Sequence, residues 1–356
     1  MKILIVGADY QWAIENHFVK HFSSIGSTVE LFPAQRYYYE YYYKSILTKL
    51  ICRLGLSKIY DRINKKLVQR VAEFNPSVIF VFKGMELLPN TLVALKKKGI
   101  KMVNYNPDNP FIFSGYGSGN KNVSESLQLY DLHLTYNLEI LEKMKSMKLN
   151  AEFFPFAFEA GDDKHTGLFE TDEVLKPCFL GNPDKSRVDF LNQLAERGVK
   201  LDVYGNHWAK NNINPNITAY PPVYGDEMIS VLRKYRVQLN LMRIHNLNSH
   251  NMRSLEIPGH GGIQLAPRTV EHEMLFNEGM EIFLYNDVDD CVGQIDKLLS
   301  MSFAEALEIR EKSQLTAQSQ HTYKQRASKA AEMFETMQSN IIIINSCKLN
   351  CEVPLK

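Results

Sequence analysis

The residue types best suited to holding a charged ligand are concentrated in one stretch, Asn251-Met-Arg-Ser-Leu-Glu-Ile-Pro-Gly-His-Gly-Gly-Ile-Gln-Leu. Arg253 and Glu256 stand three apart, so a short helix here puts a cation and an acceptor on one face. A nucleotide diphosphate has matching needs: a carboxylate can accept from both ribose hydroxyls, while cations and backbone N–H groups hold the diphosphate. The same spacing also suits an intrahelical ion pair that does no more than solvate a helix. Pro258 and the glycines at 259, 261 and 262 are expected to end the helix quickly and admit the next strand, placing the helix at the carboxyl edge of a sheet.

Other residues offer weaker chemistry. Asp108, in Asn106-Pro-Asp-Asn-Pro just past an expected strand, is a candidate general base for a hydroxyl, and is equally a turn former beside proline. His17, on the first helix near Gly7, is the alternative base, against the commoner role of a packed or surface imidazole. Asp287-Val-Asp matches the Asp-x-Asp pattern that binds metal diphosphates, but it follows a strand and opens a helix, which favours a cap; no metal is expected. Gly7, and Gly84 after Lys83, mark loops that pass close to a ligand or a neighbour. Gly7 lacks the spacing of a dinucleotide fingerprint, which argues against a nicotinamide cofactor.

These groups must be carried by strands. Ile3-Leu4-Ile5-Val6 is a continuous apolar run closed by Gly7, as expected for a parallel strand buried on both faces. A helix from about Trp12 to Ile25 and a strand Thr28 to Phe32 complete a βαβ unit. Further strands are expected at Ser77 to Phe82, Lys101 to Tyr105, Leu132 to Tyr136 and Glu152 to Phe154. The polar stretch Gly161 to Thr171 reads as a crossing between domains, after which the rhythm repeats. Strands Pro177 to Leu180, Lys200 to Tyr204, Gln238 to Met242, Ile263 to Ala266 and Glu281 to Tyr285 alternate with helices at 185–197, 226–235 and 289–300. Both halves are predicted to be doubly wound α/β. The domains expected are 1–158, 172–302, and a helical stretch 303–340 packing back toward the first; the tail from Ile341 to Lys356 is expected to be a short ordered piece or a loose end.

Composition narrows the classes. With 356 residues, 45% hydrophobic and 23% charged, the chain suits two ordinary domains and is too apolar to be mostly disordered. A net charge of +1 supplies no global field for nucleic acid. Five scattered cysteines without zinc-site spacing point to a reducing compartment, and no apolar run approaches the ~20 residues that cross a bilayer. A cytoplasmic protein is expected. Residues 37–43 are tyrosines interrupted only by Glu40, and basic residues follow to Arg70. Two readings of this insertion stand: a solvated helical element whose tyrosines pack on the first domain, or peripheral contact with the inner face of a membrane.

The stretch around Arg253 and Glu256 resembles that of CgeB-like spore-maturation glycosyltransferases, a branch near the group 1 enzymes of the GT-B fold, which reads R-x-F-E-x-x-A-C-G-G. Other landmarks are similar in order: Asn106-Pro-Asp-Asn-Pro, Phe154-Pro-Phe-Ala, Leu180-Gly181 with Arg187, Tyr204-Gly205, and His321-Thr322-Tyr323 with Arg326. The resemblance covers roughly residues 75–335. It implies two Rossmann-like domains facing a cleft and a nucleotide-diphosphate sugar as donor, bound mainly by the C-terminal domain. Glu256 would bind ribose, Arg253 and Arg187 would meet the diphosphate beside the Gly181 loop, and no metal or other cofactor would be required. The acceptor, whether glycan, lipid-linked or protein, would face the N-terminal domain. In the related group 1 enzymes a glutamate stands eight residues before the ribose-binding one, near the donor sugar; here that position is Asn248. A nucleotide-sugar epimerase and a non-catalytic nucleotide-binding protein are the alternatives.

Overall fold

The computed structural model describes residues 1–113, 117–161, 168–243 and 247–349, without the side chains of 339–349. It divides into two units, Met1–Pro155 with the chain from Tyr323 onward, and Phe156–Thr322.

The first unit begins β1 (Lys2–Val6), α1 (Ile14–Ser24), β2 (Thr28–Phe32), α2 (Ala34–Tyr42), α3 (Ile46–Arg53), α4 (Ile59–Phe74) and β3 (Val78–Phe82). It continues with α5 (Pro89–Lys96), β4 (Lys101–Asn106), α6 (Lys121–Ser126), β5 (Leu132–Thr135), α7 (Leu138–Ser146) and β6 (Ala151–Phe153). The sheet order is β2-β1-β3-β4-β5-β6, and every pairing is parallel. The strands are continuous apolar runs because both faces are covered: all five residues of β3, Val-Ile-Phe-Val-Phe, are buried. From β1 the chain moves outward to β2 and then crosses back to β3, so the sheet's topological switch lies between the carboxyl ends of β1 and β3. The insertion is helical as expected, comprising α2, α3 and most of α4, with Tyr37, Tyr38 and Tyr41 packed against the core.

The second unit holds β7 (Val174–Leu180), α8 (Lys185–Glu196), β8 (Leu201–Tyr204), β9 (Ile217–Tyr220), α9 (Gly225–Lys234) and β10 (Tyr235–Leu239). It ends with α10 (Arg253–Gly259), β11 (Gln264–Pro267), α11 (Val270–Leu275), β12 (Ile282–Tyr285), α12 (Val288–Ser300) and α13 (Phe303–Gln320). Its sheet, β12-β11-β10-β7-β8-β9, is also wholly parallel, with the switch between β7 and β10. Side-chain caps start the helices where the sequence offers them: Asp184 accepts from the Arg187 amide for α8, and Asp287 from the Asp290 amide for α12, the role favoured for that aspartate. α13 packs on α10 within this unit, whereas α14 (Tyr323–Leu349) packs on α1 in the first, where Phe334 meets Phe22 and Phe80.

Residues 162–167, the greater part of the expected crossing, and 350–356 of the tail lie outside the described residues, while 341–349 continue α14. Cys52, Cys178 and Cys291 are free thiols. Among the described residues no helix is long and apolar enough to cross a membrane.

Candidate functional site

On one side of the switch of the second sheet, the loops after β7 and β8 are held together by backbone and side-chain hydrogen bonds. After β7 the chain runs through Gly181 and Asn182; after β8 it runs through Gly205 and Asn206. The Asn206 amide donates to Asn182 Oδ1 at 2.9 Å, and Trp208 Nε1 donates to the Gly181 carbonyl at 2.9 Å. A Cβ at Gly205 would strike that same carbonyl, so the close approach of the two loops requires glycine there. Arg187, in the first turn of α8, reaches across the switch: Nη1 donates to the Asn182 carbonyl at 3.1 Å and Nη2 to the Leu241 carbonyl at 2.8 Å. Arg187 is 9% exposed, its guanidinium lies over the Phe179 ring, and burial lowers its pKa, with Asp184 acting in the opposite sense. The sequence placed Arg187 on a diphosphate; in the structure its fork ties the β7 loop to the β10 loop.

α10 follows β10 and carries the two residues singled out in the sequence. Arg253 Nη1 lies 2.8 Å from Glu256 Oε2, with 26% and 20% of the two side chains exposed, so the pair shares one helix face and reaches solvent. Arg253 Nη1 also donates to Met228 Sδ at 3.1 Å. Pro258 does not end the helix as expected but lies inside its last turn; the exit is made by Gly261 at φ +80°, whose amide bonds the Pro258 carbonyl, and by the Gly262 amide on the Ile257 carbonyl.

Beneath α10 lies a buried polar platform that sequence spacing did not show. Ser254 Oγ accepts from the Asn251 amide at 3.1 Å and from Asn240 Nδ2 at 2.9 Å, and lies 2.9 Å from His272 Nε2. His272 Nδ1 faces the Pro267 carbonyl at 2.9 Å, which fixes Nδ1–H as donor and makes Nε2 the acceptor of the Ser254 hydroxyl. Burial lowers the His272 pKa to about 4, so the ring is neutral. The loop before α10 is held by Glu271, whose carboxylate accepts from the Ser249 hydroxyl and from the amide and Nδ1 of His250, while His250 Nε2 accepts from the Phe156 amide. Asn248, in this loop, is exposed. The one signal available in the sequence was Asn251 three residues before Ser254, whose Oδ1 accepts the Ser254 amide as a cap.

The first unit has its own polar cluster at the switch between β1 and β3. Asp108 pairs with Lys83, Oδ2 to Nζ at 2.6 Å, and is partly exposed. His17 is stacked on Tyr323 at 4.4 Å between ring centroids and 3° between planes, a contact of the packing kind. Glu15, two residues earlier, lines the Gly7 loop instead: its Oε1 accepts from the Ala8 amide at 2.7 Å, and its carboxylate fills the space a Cβ at Gly7 would need. Burial raises the pKa of Glu15, and that of Glu86 to about 7, with Lys83 opposing both shifts. Glu15 and Glu86 were missed because nothing in their local sequence marks them for burial; Glu15 comes near Lys83 only through the strand order, while Glu86 stands three residues after it in the chain. Among the described residues no group of three or more His, Cys, Asp or Glu side chains is placed to hold a metal ion.

Two Rossmann-like domains with these parallel sheets define the GT-B fold. The structure is similar to the sucrose-phosphate synthase from Thermosynechococcus elongatus, at 8% identity over 96% of this chain and 100% of that one with a TM-score of 0.67. It is also similar to a glycosyltransferase from Rickettsia africae ESF-5, at 10% identity over 95% and 99% with a TM-score of 0.66. A third likeness is to Anabaena Alr3699/HepE in complex with UDP, at 11% identity over 94% and 100% with a TM-score of 0.64. Residues 187–332 match the glycosyl transferase-like family, a span that opens on Arg187 and includes Arg253, Glu256 and the whole polar platform beneath them except its Phe156 contact. No curated protein matches the sequence.

Proposed function

We propose that the chain is a glycosyltransferase that takes a sugar from a nucleoside diphosphate at the carboxyl edge of the second sheet and passes it to a hydroxyl acceptor. The observation that carries this reading is the Arg253–Glu256 face, part-exposed beside the β7–β10 switch and inside the span matched by the glycosyl transferase-like family. In this reading Glu256 accepts hydrogen bonds from the ribose hydroxyls, and Arg253 turns from Glu256 to the diphosphate, where charge builds as the bond to the sugar breaks. The glycosyl carbon leaves the diphosphate oxygen and bonds to the acceptor oxygen, whose proton passes to a base. Asp108, held by Lys83 and open to solvent, is the base proposed. Arg187 and Gly181 shape the pocket wall rather than bind charge directly, and Asn248 is proposed to face the donor sugar. Charge neutralisation by arginine supports chemistry without a metal. The kinship with CgeB-like enzymes belongs to the same proposal, supported by the Arg253 and Glu256 spacing.

The likeness to HepE, whose structure holds UDP, makes UDP the first ligand to test. Isothermal titration of the full chain with UDP, ADP and GDP, followed by turnover of the matching sugar nucleotide with a panel of hydroxyl acceptors, tests the reading. Binding of one diphosphate with acceptor-dependent release supports it. Isomerisation of the sugar without acceptor would instead identify an epimerase, and binding without any turnover a non-catalytic protein.

A further inference from the structure

A surface helix of a globular protein normally turns its apolar stripe inward. α3 does the reverse. None of its residues is buried, and Ile46, Leu47, Leu50 and Leu54, with Leu56 just beyond, are between 51% and 87% exposed. Helical spacing puts Ile46, Leu50 and Leu54 in one row with Leu47 beside it. The opposite side faces the protein: Cys52 packs against the core of the first unit, and the Thr48 hydroxyl bonds the Tyr42 carbonyl. The helix is well made, started by a reciprocal cap between Ser45 and Thr48, so the outward stripe belongs to a formed element. A row of exposed leucines of this kind marks an interaction surface.

Charge selects the partner. Residues 37–66 hold seven lysines and arginines against two acids, in a chain whose net charge is +1. Lys44 and Arg53 are exposed at the two ends of α3 and Lys58 just beyond it, while Lys49 flanks the stripe with its Nζ 4.8 Å from the Tyr43 ring centre. A second copy of the chain docked through this face would bring these cations together, which like-charge repulsion opposes. An anionic lipid surface meets both features: leucines enter the acyl boundary, lysines and arginines stay at the headgroups, and tyrosine rings lie between them.

We infer that α3 is a membrane-docking helix that lies in the surface of an anionic bilayer and holds the first unit there. The inference is independent of the donor chemistry. Sedimentation of the full-length protein with phosphatidylcholine vesicles, with and without phosphatidylglycerol, tests it. The protein should bind the mixed vesicles, bind pure phosphatidylcholine far more weakly, and be released by added salt. Replacing Lys49, Arg53 and Lys58 together by glutamine should lower the partition coefficient roughly 100-fold, at about fivefold per cation. Leu50→Ser with Leu54→Ser should abolish binding, while the unfolding midpoint and UDP affinity remain those of the unaltered protein, because neither side chain belongs to the core. Failure of the unaltered protein to bind anionic vesicles overturns the inference, as does binding that survives the serine pair. A concentration-dependent dimer that the serine pair dissolves, with no vesicle binding, would give the face to a second copy instead. Should the serine pair unfold the protein, the glutamine variant decides, since it leaves the apolar surface intact.

Discussion

Glu256→Gln separates a ligand-binding carboxylate from a helix-solvating one, because the two roles predict opposite pairs of measurements. In the free protein the carboxylate lies 2.8 Å from Arg253 Nη1, with 20% of the Glu256 side chain exposed. An ion pair at this spacing, screened by solvent, is worth ~0.2–0.5 kcal/mol, and glutamine keeps the shape and one hydrogen bond to the guanidinium. Loss of the charge should therefore move the unfolding midpoint by no more than ~2 °C. With a nucleotide bound, the same oxygens would accept from ribose hydroxyls, and hydrogen bonds to a charged group contribute ~1.5–3 kcal/mol. The dissociation constant for UDP should then rise roughly 10- to 150-fold. Isothermal titration gives the affinity and scanning calorimetry the midpoint on the same samples. Arg253→Ala should weaken UDP more than uridine, because only the diphosphate carries the charge that the guanidinium meets. A midpoint lowered by several degrees with UDP affinity unchanged would refute the reasoning and leave Arg253 and Glu256 as a structural pair.

Glu173, whose side chain is 2% exposed, is bound by Arg236 Nη2 at 2.5 Å and Arg310 Nη2 at 2.9 Å, so Glu173→Gln leaves two buried guanidinium groups short of charge and should cost ~3–5 kcal/mol in urea unfolding. Burial alone would raise the Glu173 pKa, but the two arginines outweigh it and the net shift is downward. That stabilisation is therefore present above the unfolded carboxylate value and is lost as pH falls through the folded one, so the gap between wild type and variant should narrow in acid. Glu86 runs the other way: with a folded pKa of about 7, its contribution is complete below the unfolded value and disappears as pH rises through 7. Glu86→Gln should accordingly gain on wild type by on the order of 3 kcal/mol between pH 5 and pH 8, read from paired unfolding curves. Arg187→Met should destabilise the apo protein by ~1–3 kcal/mol, because the carbonyls of Asn182 and Leu241 lose their donors. Unchanged stability with lost UDP affinity would put that guanidinium on the diphosphate after all.

The fold was legible wherever both faces of a strand are buried, because the run then needs no alternation to be seen: β1, β3 and β12 appear in the sequence as unbroken apolar segments. β9, Ile217–Tyr220, was not legible, since only its first residue is buried and it forms the edge of the second sheet. α11 escaped because its six residues are too few to show a helical period. Of the site, Arg253 and Glu256 were legible because their partnership is local, three residues on one helix. Asn240, Ser254 and His272 were not, because they meet only once β10 and β11 are neighbours and α11 folds back over them. The same holds for Glu15 near Lys83. For Arg187 the sequence does not separate two roles, since a guanidinium at the mouth of a Rossmann sheet looks the same whether it meets a phosphate or, as here, the carbonyls of Asn182 and Leu241.

The platform under α10 explains how a seven-residue helix can hold the Arg253–Glu256 pair in place. A helix this short is unstable alone, and apolar packing would leave it free to slide or rotate, because burial is indifferent to direction. Hydrogen bonds are directional. Once His272 Nδ1–H is committed to the Pro267 carbonyl, Nε2 must accept, so Ser254 must donate to it; the Ser254 lone pairs are then left for Asn240 and the Asn251 amide, each of which donates. The Ser254 proton thus goes to Nε2 at 2.9 Å in preference to Asn251 Oδ1 at 3.4 Å, and a neutral ring is required at the root of the chain. The burial that lowers the His272 pKa to about 4 secures that neutrality across the physiological range. Asn240 lies just past the end of β10, and Pro267 ends β11, so the rotation of α10 is referred to two adjacent interior strands of the sheet. Arg253 and Glu256, one residue before and two residues after Ser254, inherit that rotation. The buried polar groups are thus costly to desolvate yet serve what an apolar core cannot, fixing the angle at which one cation and one carboxylate meet solvent.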